Sequence, residues 1–213
     1  MAEKKSVRCI IIAGGVSADL GFIKDFIKPD DYVICADSGY DYAKQINLIP
    51  NLVIGDFDSY KGSLPDTEII KLNTHKDDTD TAHCAKVAVE RGFKEVCILG
   101  ALGGRNDHSF ANFCLLQYLS EKGVQGKLVD KNETVEFKAK GIYEYNNLKD
   151  KTFSVFPFSC NEAVVSYWGE CEYPANNLTL SSSLAMGISN IFRSDSIKVE
   201  VRQGNVLIFI ENI

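Results

Sequence analysis

Four short apolar runs dominate the first part of the chain, and they constrain its fold more than any other feature of the sequence. They are rich in β-branched residues and largely lack alternation with polar residues: 7–13 (VRCIIIA), 32–36 (YVICA), 51–55 (NLVIG) and 95–100 (EVCILG). A strand that is covered on both faces needs apolar residues at successive positions, so this pattern favours a parallel sheet with helices on both sides.

Segments able to form helices lie between these runs. Residues 80–92 and 106–123 each begin with capping-type residues, repeat apolar residues at helical spacing and end at a glycine. In the second of these segments we expect Phe110, Phe113 and Cys114 to lie on one apolar face with Tyr118. The alternation of strands and helices predicts an α/β domain with an open, mainly parallel sheet.

The pattern changes near residue 127. From there to the end, eight short runs, often alternating in polarity, are separated by turns that contain Gly, Asn, Asp or Lys. Such spacing is typical of an antiparallel sandwich or barrel. We therefore predict an α/β domain in residues 1–126, followed by an all-β sandwich domain in residues 127–213.

Composition excludes several classes of function. The 213 residues are 45% hydrophobic and 24% charged, as in ordinary globular proteins, and contain no apolar run near the ~20 residues of a membrane span. The net charge of −6 disfavours binding to nucleic acid or an anionic membrane surface. The basic start, MAEKKSVRCIIIAGG, has too short an apolar run for a signal peptide, so we interpret it as leading into the first strand.

The cysteines and histidines predict no metal or disulfide framework. Seven cysteines are spread along the chain without a CxxC pair, and most lie in apolar segments. We interpret them as buried thiols of a protein in a reducing cytoplasm. The three histidines have no zinc-ligand spacing.

Polar or glycine-rich residues follow each of the four apolar runs. They are Gly14-Gly15, Asp37-Ser38-Gly39, Asp56 with Asp58 and Ser59, and residues 101–108 (ALGGRNDH). In an open parallel sheet, ligands bind in the crevice beyond the carboxyl ends of the strands. We therefore expect the four loops to converge on one site.

Two closely spaced aspartates, Asp56 and Asp58, end the third apolar run. At positions i and i+2 of an extended chain their carboxylates point the same way, and they repel each other unless a cation is present. The alternative is a turn after a strand, for which Gly-Asp and Asp-Ser are also suitable. For Asp78 and Thr79, at the start of a predicted helix, simple helix capping is the favoured explanation.

Taken together, the aspartates predict a magnesium site. Five of them follow predicted strands or begin predicted helices: Asp37, Asp56, Asp58, Asp80 and Asp107. Carboxylate oxygens suit Mg²⁺, which is usually held by one or two carboxylates and the phosphates of a substrate. Zn²⁺ would require histidine or cysteine ligands nearby.

The opposite charge is supplied by residues 100–112 (GALGGRNDHSFAN). Gly100, Gly103 and Gly104 allow the backbone to approach a ligand just before a helix begins, which favours anion binding. Arg105 can hold a phosphate through two hydrogen bonds. A phosphate-binding loop that faces carboxylates predicts a nucleoside triphosphate site and a phosphoryl-type transfer.

Several motifs, in this order, resemble those of the thiamine pyrophosphokinases. They are GDFDS (55–59), DDTDTAHCA (77–85), GALGGRNDHSFAN (100–112) and GISN (187–190). ADSG (36–39) is similar to the family's ADGG segment, with Ser38 in place of a glycine. WGECEYP (168–174) resembles its G-x-K-Y-P-L segment, with Glu172 where the family commonly has lysine.

The resemblance implies an enzyme that transfers a diphosphate from ATP to the hydroxyl group of thiamine and releases AMP, with Mg²⁺ as cofactor. It also implies a homodimer whose sandwich domain binds thiamine.

The residue roles that we expect are as follows. Asp56, Asp58 and Asp80 would handle the metal and the diphosphate, Arg105 and Asp107 the phosphates, and Ser189 and Asn190 thiamine. The expected nucleotide-binding residues are Gly14, Gly15, Asp37, Gly39, Thr79, Gly103, Gly104 and His108.

Alternatives remain open at this stage. A diphosphokinase or nucleotidyltransferase acting on another small alcohol would use the same aspartates and phosphate loop, and a non-catalytic regulator that binds nucleotide or thiamine would retain them. Trp168 is a candidate for a cation–π contact with thiamine or a core or edge residue of the sandwich. The general base is not identified.

Overall fold

The computed structural model describes residues 8–15, 18–57, 66–73 and 78–212. The chain forms two compact units, Met1–Asp130 and Lys131–Ile213. Of the residues selected from the sequence, Asp58 and Ser59 lie outside the described residues.

The first unit is an α/β domain. Its elements are β1 (Cys9–Ile12), α1 (Leu20–Phe26), β2 (Tyr32–Ala36), α2 (Gly39–Gln45), β3 (Leu52–Gly55), β4 (Glu68–Lys71), α3 (Asp80–Glu90), β5 (Glu95–Leu99), α4 (Asn106–Glu121) and β6 (Gln125–Val129). The strands pair in the order β6-β5-β1-β2-β3-β4, and each pairing is parallel. The four apolar runs form β1, β2, β3 and β5, so the predicted parallel sheet is confirmed.

Burial explains why these strands lack polar residues. Every residue of β1 and β3 is buried, and at the centre of the sheet Ile11 pairs with Ile34 on one side and Ile98 on the other. Strand β1 has β2 and β5 as neighbours, so the strand order changes direction there. This is the topological switch point at which open α/β sheets bind ligands.

The apolar face of α4 differs from the predicted one. Leu115, Leu116 and Leu119 are buried, whereas Phe110 is 60% exposed and Cys114 is exposed. The leucines pack where Gly126 of β6 leaves room, since a methyl group on Gly126 would meet the side chains of Leu116 and Leu119. The prediction gave more weight to the aromatic residues than to the leucine stripe beside them.

Strand β6 belongs with the parallel sheet. It pairs with β5 from Glu95 opposite Gln125 to Leu99 opposite Val129. The predicted boundary between residues 126 and 127 falls within this strand, because the run GKLVD resembles the sandwich strands that follow it.

The second unit is an antiparallel β-sandwich. Its strands are β7 (Glu133–Lys138), β8 (Gly141–Asn146), β9 (Thr152–Pro157), β10 (Glu162–Trp168), β11 (Leu178–Ser181), β12 (Asn190–Ile191), β13 (Ser196–Gln203) and β14 (Val206–Glu211). They pair in the orders β12-β9-β14-β7 and β11-β10-β13-β8.

Alternation along these strands builds one core. Val165 and Tyr167 of β10 and Val199 of β13 point inward and pack with Phe153 of β9 and Ile208 of β14. The predicted sandwich is confirmed.

The seven cysteines all fall within the described residues and are free thiols. Cys9, Cys35 and Cys97 are buried in β1, β2 and β5, and Cys84 is buried in α3. Burial raises the pKa of the Cys97 thiol to about 11. Within the described segments, none of the helices is long and apolar enough to cross a membrane.

Candidate active site

A cleft of about 430 Å³ lies at the carboxyl ends of the central strands of the first unit. Its lining comes from the segments after β1, β2 and β5 and from the first turns of α3 and α4: Ala13, Gly14, Gly15, Ala36, Asp37, Ser38, Asp78, Thr79, Asp80, Thr81, Gly100, Ala101, Gly103, Arg105, His108 and Asn112. The cleft therefore lies at the switch point of the sheet, as the strand order predicts.

Backbone hydrogen bonds hold the segments after β1 and β5 together. The N–H of Ala13 donates to the carbonyl of Leu99 at 2.8 Å, and the N–H of Gly15 donates to the carbonyl of Gly100 at 2.9 Å. The hydroxyl of Tyr42 in α2 donates to the carbonyl of Gly15 at 2.7 Å. Two bonds between backbone groups and one from the Tyr42 side chain thus fix the segments that line this part of the cleft.

Close backbone approach explains two glycines. A methyl group on Gly39 would overlap the carbonyl of Ile12, so α2 can begin against β1 only if this residue has no side chain. A methyl group on Gly14 would overlap the hydroxyl of Ser38. Ser38 stands where the similar ADGG segment has a glycine. Its side chain therefore occupies the space beside Gly14.

Asp37 is held in an uncommon backbone conformation. Its φ is 44°, in the left-handed region that aspartate tolerates better than most residues. Its N–H donates to the carbonyl of Ile54 at 2.8 Å. A methyl group on Gly55 would lie 3.1 Å from one Asp37 carboxylate oxygen, so this carboxylate lies beside the end of β3, where Asp56 follows.

The start of α3 presents four polar residues to the cleft: Asp78, Thr79, Asp80 and Thr81. Thr79 is the N-cap, and its hydroxyl accepts the N–H of Ala82 at 3.2 Å. Thr79 thus both caps the helix and lines the cleft. Asp78 accepts a hydrogen bond from Lys86, which lowers the pKa of its carboxyl group. Asp80 is the first helical residue and lines the cleft as well.

Arg105 and Asp107 form a two-pronged ion pair where α4 begins. The Arg105 Nη2 atom lies 2.6 Å from Asp107 Oδ2, and Nε donates to Oδ1 at 3.1 Å. The pair lowers the pKa of Asp107 and raises that of Arg105. Both side chains are largely exposed. Arg105 is the N-cap and carries no acceptor, so its side chain does not cap the first N–H groups of α4.

The donor set of the cleft suits a hard cation. The lining that the structure describes contains three aspartates and one histidine, without cysteine. Carboxylate oxygens fit Mg²⁺ better than Zn²⁺. Over the described residues no group of three His, Cys, Asp or Glu side chains is placed to hold a metal, and Asp58 of the predicted trio falls outside that range.

The structure brings together most of the predicted nucleotide-binding residues. Eight predicted site residues line the cleft: Gly14, Gly15, Asp37, Thr79, Asp80, Gly103, Arg105 and His108. Gly39, Asp56, Gly104 and Asp107 are described but do not line it.

The predicted set omitted eight residues that line the cleft, and four of these have polar side chains: Ser38, Asp78, Thr81 and Asn112. Asn112 is the most informative, because it is buried and its amide Nδ2 donates to the carbonyl of Ala101 at 2.9 Å. The sequence signal for Asn112 was its position on the same face of α4 as the buried leucines.

In the second unit, the two residues expected to contact thiamine have different environments. Ser189 is exposed, has φ 56°, and its N–H donates to the hydroxyl of Ser154 at 3.0 Å. Asn190 is only 4% exposed. Its Oδ1 accepts the N–H of Tyr173 at 2.9 Å, and its Nδ2 donates to the carbonyl of Tyr173 at 2.8 Å.

Further bonds join residues 170–173 to the strand that contains Asn190. The N–H of Glu172 donates to the carbonyl of Ile191 at 3.0 Å, and Cys171 forms an antiparallel bridge with Phe192. The guanidinium of Arg193 pairs with Glu172, with Nη2 2.8 Å from Oε2. Glu172, at the position where the similar segment commonly has lysine, is thus paired with the guanidinium of Arg193.

Trp168 is a surface residue of the sandwich. Its side chain is 50% exposed, and its Nε1 donates to Glu200 at 2.9 Å. The guanidinium of Arg202 lies 6.0 Å from the centre of its ring. The ring already has a cation beside it.

Comparison with known proteins places the chain among enzymes of one kind. Residues 23–128 match the family described as "Thiamin pyrophosphokinase, catalytic domain". The chain is 26% identical over 189 residues to a thiamine pyrophosphokinase of Bacillus subtilis, a match that covers 84% of this chain and 87% of that protein.

Solved structures have the same fold. The crystal structure of the Bacillus subtilis thiamine pyrophosphokinase superposes with a TM-score of 0.85 at 23% identity, over 96% of this chain and 98% of the other. The enzyme of Geobacillus thermodenitrificans gives 0.83 at 22% identity, over 96% and 97%. That of Candida albicans gives 0.75 at 18% identity, over 97% and 89%. The chain belongs to the thiamine pyrophosphokinase family.

Proposed function

We propose that this protein transfers a diphosphate group from ATP to the hydroxyl group of thiamine, releasing AMP, with Mg²⁺ as cofactor. The observation that carries the proposal is the cleft at the switch point, where aspartates face the glycine-rich segment and the first turn of α4. Family membership supports thiamine as the acceptor.

The phosphates of ATP would lie against the segment that leads into α4. Gly103 and the first turn of α4 offer backbone N–H groups, which attract anions at the positive end of the helix dipole. Arg105 and His108 line the same part of the cleft. Arg105 would exchange part of its pairing with Asp107 for a phosphate oxygen, because both side chains lie in solvent and can move.

The aspartates would hold the cation. We assign Asp56, Asp58 and Asp80 to Mg²⁺, with Asp37 beside the end of β3. Bound there, the cation would neutralise charge on the phosphates and position them for in-line attack.

The ion pair of Arg105 and Asp107 at the start of α4 narrows the choice of general base. Arg105 lowers the pKa of Asp107, and a carboxylate with a lowered pKa is a weaker base toward an alcohol. We therefore assign Asp107 to orient Arg105, and leave proton removal to an aspartate of the metal group.

The acceptor would bind to the second unit near Ser189 and Asn190. In this proposal the active species is a homodimer in the cytoplasm, and ATP and thiamine are its only required small-molecule partners.

Product analysis tests the proposal. The purified protein is incubated with ATP, Mg²⁺ and thiamine, and the expected products are AMP and thiamine diphosphate in equal amounts. Formation of ADP with thiamine monophosphate would contradict diphosphate transfer. Omission of Mg²⁺ in the presence of a chelator should abolish the reaction, and turnover that persists would remove the cation from the proposal.

The two alternative functions give different products. A diphosphokinase for another small alcohol would release AMP only with that acceptor, and a nucleotidyltransferase would release pyrophosphate. A regulator would bind thiamine or nucleotide without turnover, which calorimetry would detect.

A further inference from the structure

We propose that Asn112 is a positioning residue for residues 100–105, here named the phosphate segment, and that it acts by holding the carbonyl of Ala101. The proposal rests on the proposed function, because it takes this segment as the place where the phosphates of ATP bind.

The backbone of the phosphate segment needs to be held in shape. Three of its glycines have φ in the left-handed region: Gly100 at 65°, Gly103 at 73° and Gly104 at 82°. Glycine adopts this region without strain but loses more conformational freedom on ordering than any other residue. The N–H of Gly15 holds the start of the segment through the carbonyl of Gly100. Among the described residues, Asn112 alone hydrogen-bonds to the backbone of residues 101–104.

The bond from Asn112 fixes the direction of a peptide group. Nδ2 donates to the carbonyl of Ala101 at 2.9 Å, and a carbonyl can only accept, so the amide of Asn112 cannot be reversed. A trans peptide holds its C=O and its N–H on opposite sides, so the same bond also sets the direction of the Leu102 N–H. Within the described part of the chain, that N–H has no hydrogen-bond acceptor. A donor of fixed direction without an internal partner is available to an anion.

Asn112 is itself held by a firmly packed part of α4. The residue is 7% exposed and shares a helix face with three buried leucines, Leu115, Leu116 and Leu119. The first turn of the same helix lies at the cleft. The amide therefore ties the phosphate segment to the helix whose first N–H groups would bind the phosphates.

Stability alone does not account for an amide at this position. Burial of an amide costs free energy unless its polar groups are hydrogen-bonded, and the described residues give the Asn112 side chain one bond. A leucine there would extend the apolar face of α4 without that cost. We therefore assign the amide to the site, where its bond to Ala101 sets the shape of the phosphate segment.

Nucleotide affinity in Asn112→Leu tests the proposal. Calorimetry with Mg²⁺ and a non-hydrolysable ATP analogue, without thiamine, gives the Kd. We expect the Kd of the variant to be about tenfold higher than that of the wild type, because binding must then order about one residue of backbone that Asn112 otherwise holds.

Leu119→Ala is the matched control. Leu119 is fully buried on the same face of α4, but it lies about two turns further from the cleft, beside Gly126. This substitution should lower the melting temperature and leave the Kd for the analogue unchanged. If Leu119→Ala weakens nucleotide binding as much as Asn112→Leu does, Asn112 acts through general stability and the proposal is wrong.

Asn112→Asp adds a pH dependence that a purely structural role would not produce. A protonated carboxyl group can donate to the carbonyl of Ala101, whereas a carboxylate cannot. Because burial raises the pKa of a carboxyl group, the variant should bind the analogue nearly as the wild type does at about pH 5 and about tenfold more weakly at about pH 8. The affinity is taken relative to that of the wild type at the same pH. This ratio cancels the titration of the other charged groups that line the cleft: Asp37, Asp78, Asp80, Arg105 and His108.

The remaining outcomes separate this proposal from the proposed function. Unchanged affinity in Asn112→Leu would overturn the positioning role, and so would a relative affinity of Asn112→Asp that does not change with pH. If Asn112→Leu does not fold, the pH dependence of Asn112→Asp decides the question. A wild-type protein that does not bind the analogue would overturn both proposals. If the wild type binds it and the variants behave as expected but no thiamine diphosphate forms, only the proposed function fails.

Discussion

The two units of this protein hold their candidate site residues by different means. In the first unit, backbone hydrogen bonds and side-chain-free glycines bring strand ends together, and the charged side chains then project into a cleft. In the second unit, the buried amide of Asn190 fixes the backbone of Tyr173. A site of the first kind depends on the topology of the sheet, whereas a site of the second kind depends on a single side chain.

The largest effect should come from a charge in the first unit. Asp80→Asn removes a carboxylate from the cleft, and we expect turnover to fall by about 10²-fold or more, as when one preorganised charge interaction is lost. The Kd for thiamine should stay unchanged if the two units work separately in binding. Initial rates and calorimetry measure the two quantities.

Asp41→Asn is the control for this substitution. Asp41 is an aspartate of α2 whose carboxylate is half exposed and 3.4 Å from Lys44, and its removal should leave turnover unchanged. If Asp80→Asn weakens thiamine binding as well as lowering turnover, the two units do not act separately in binding.

A backbone substitution tests the means by which the cleft is held. Gly39→Ala would overlap the carbonyl of Ile12, and the free energy of unfolding should fall by about 3 kcal/mol because neither backbone can move away. Gly21→Ala, in α1, is the matched change, since the added methyl group would meet no backbone atom and its nearest neighbour is the Oδ1 atom of Asp19 at 3.3 Å. It should be neutral or stabilise by up to about 1 kcal/mol. Equal stability of the two variants in urea would contradict the close approach.

The corresponding test in the second unit concerns a buried polar pair. The hydroxyl of Tyr145 donates to the buried carboxylate of Glu136 at 2.9 Å, and burial raises the pKa of Tyr145 well above its usual value. Tyr145→Phe leaves Glu136 with fewer partners, and we expect about 2 kcal/mol lower stability. Lys138, 3.2 Å from Glu136, remains as a partner and limits the loss. Urea unfolding measures the difference, and unchanged stability would contradict the assigned bond.

The smallest effect is expected at a second tyrosine of the same core. The hydroxyl of Tyr167 is buried and has no hydrogen-bond partner among the described residues. Tyr167→Phe therefore removes a desolvated group without breaking a bond, so we expect stability to be unchanged or to rise by up to about 1 kcal/mol. A loss comparable to that of Tyr145→Phe would show that the Tyr167 hydroxyl has a partner.

Much of the first unit could be predicted from the sequence because its strands are buried on both faces. An unbroken apolar run such as residues 9–12 has few alternatives, and the residues that follow such runs must lie at one edge of the sheet. The face of α4 was harder, because aromatic and leucine residues offered two overlapping stripes. Only the room at Gly126 decides between them.

In the second unit, the hydrogen-bond partner of a buried side chain could not be predicted from the sequence. Its alternating strands were predictable, but the sequence motif at Ser189 and Asn190 gives no sign that Asn190 turns inward to a backbone 17 residues away. The partner of a buried amide depends on strand pairing, here of β12 with β9, which fixes the position of Asn190 opposite Phe153. Asp80 and Arg105 were easier to place, because each lies at the start of a helix that the sequence predicts, and Arg105 comes shortly after a predicted strand.

Labelling of the buried cysteines would measure local opening of the first unit. A thiol reagent can reach Cys35 or Cys97 only when the packing around β2 or β5, to which α1 and α2 contribute, opens, whereas exposed Cys114 is modified at once and calibrates the reagent. The rate at which each buried thiol is labelled therefore measures the free energy of opening at that strand. Labelling with and without ATP and Mg²⁺ would show how strongly the ligands close the sheet at the cleft, with no introduced probe.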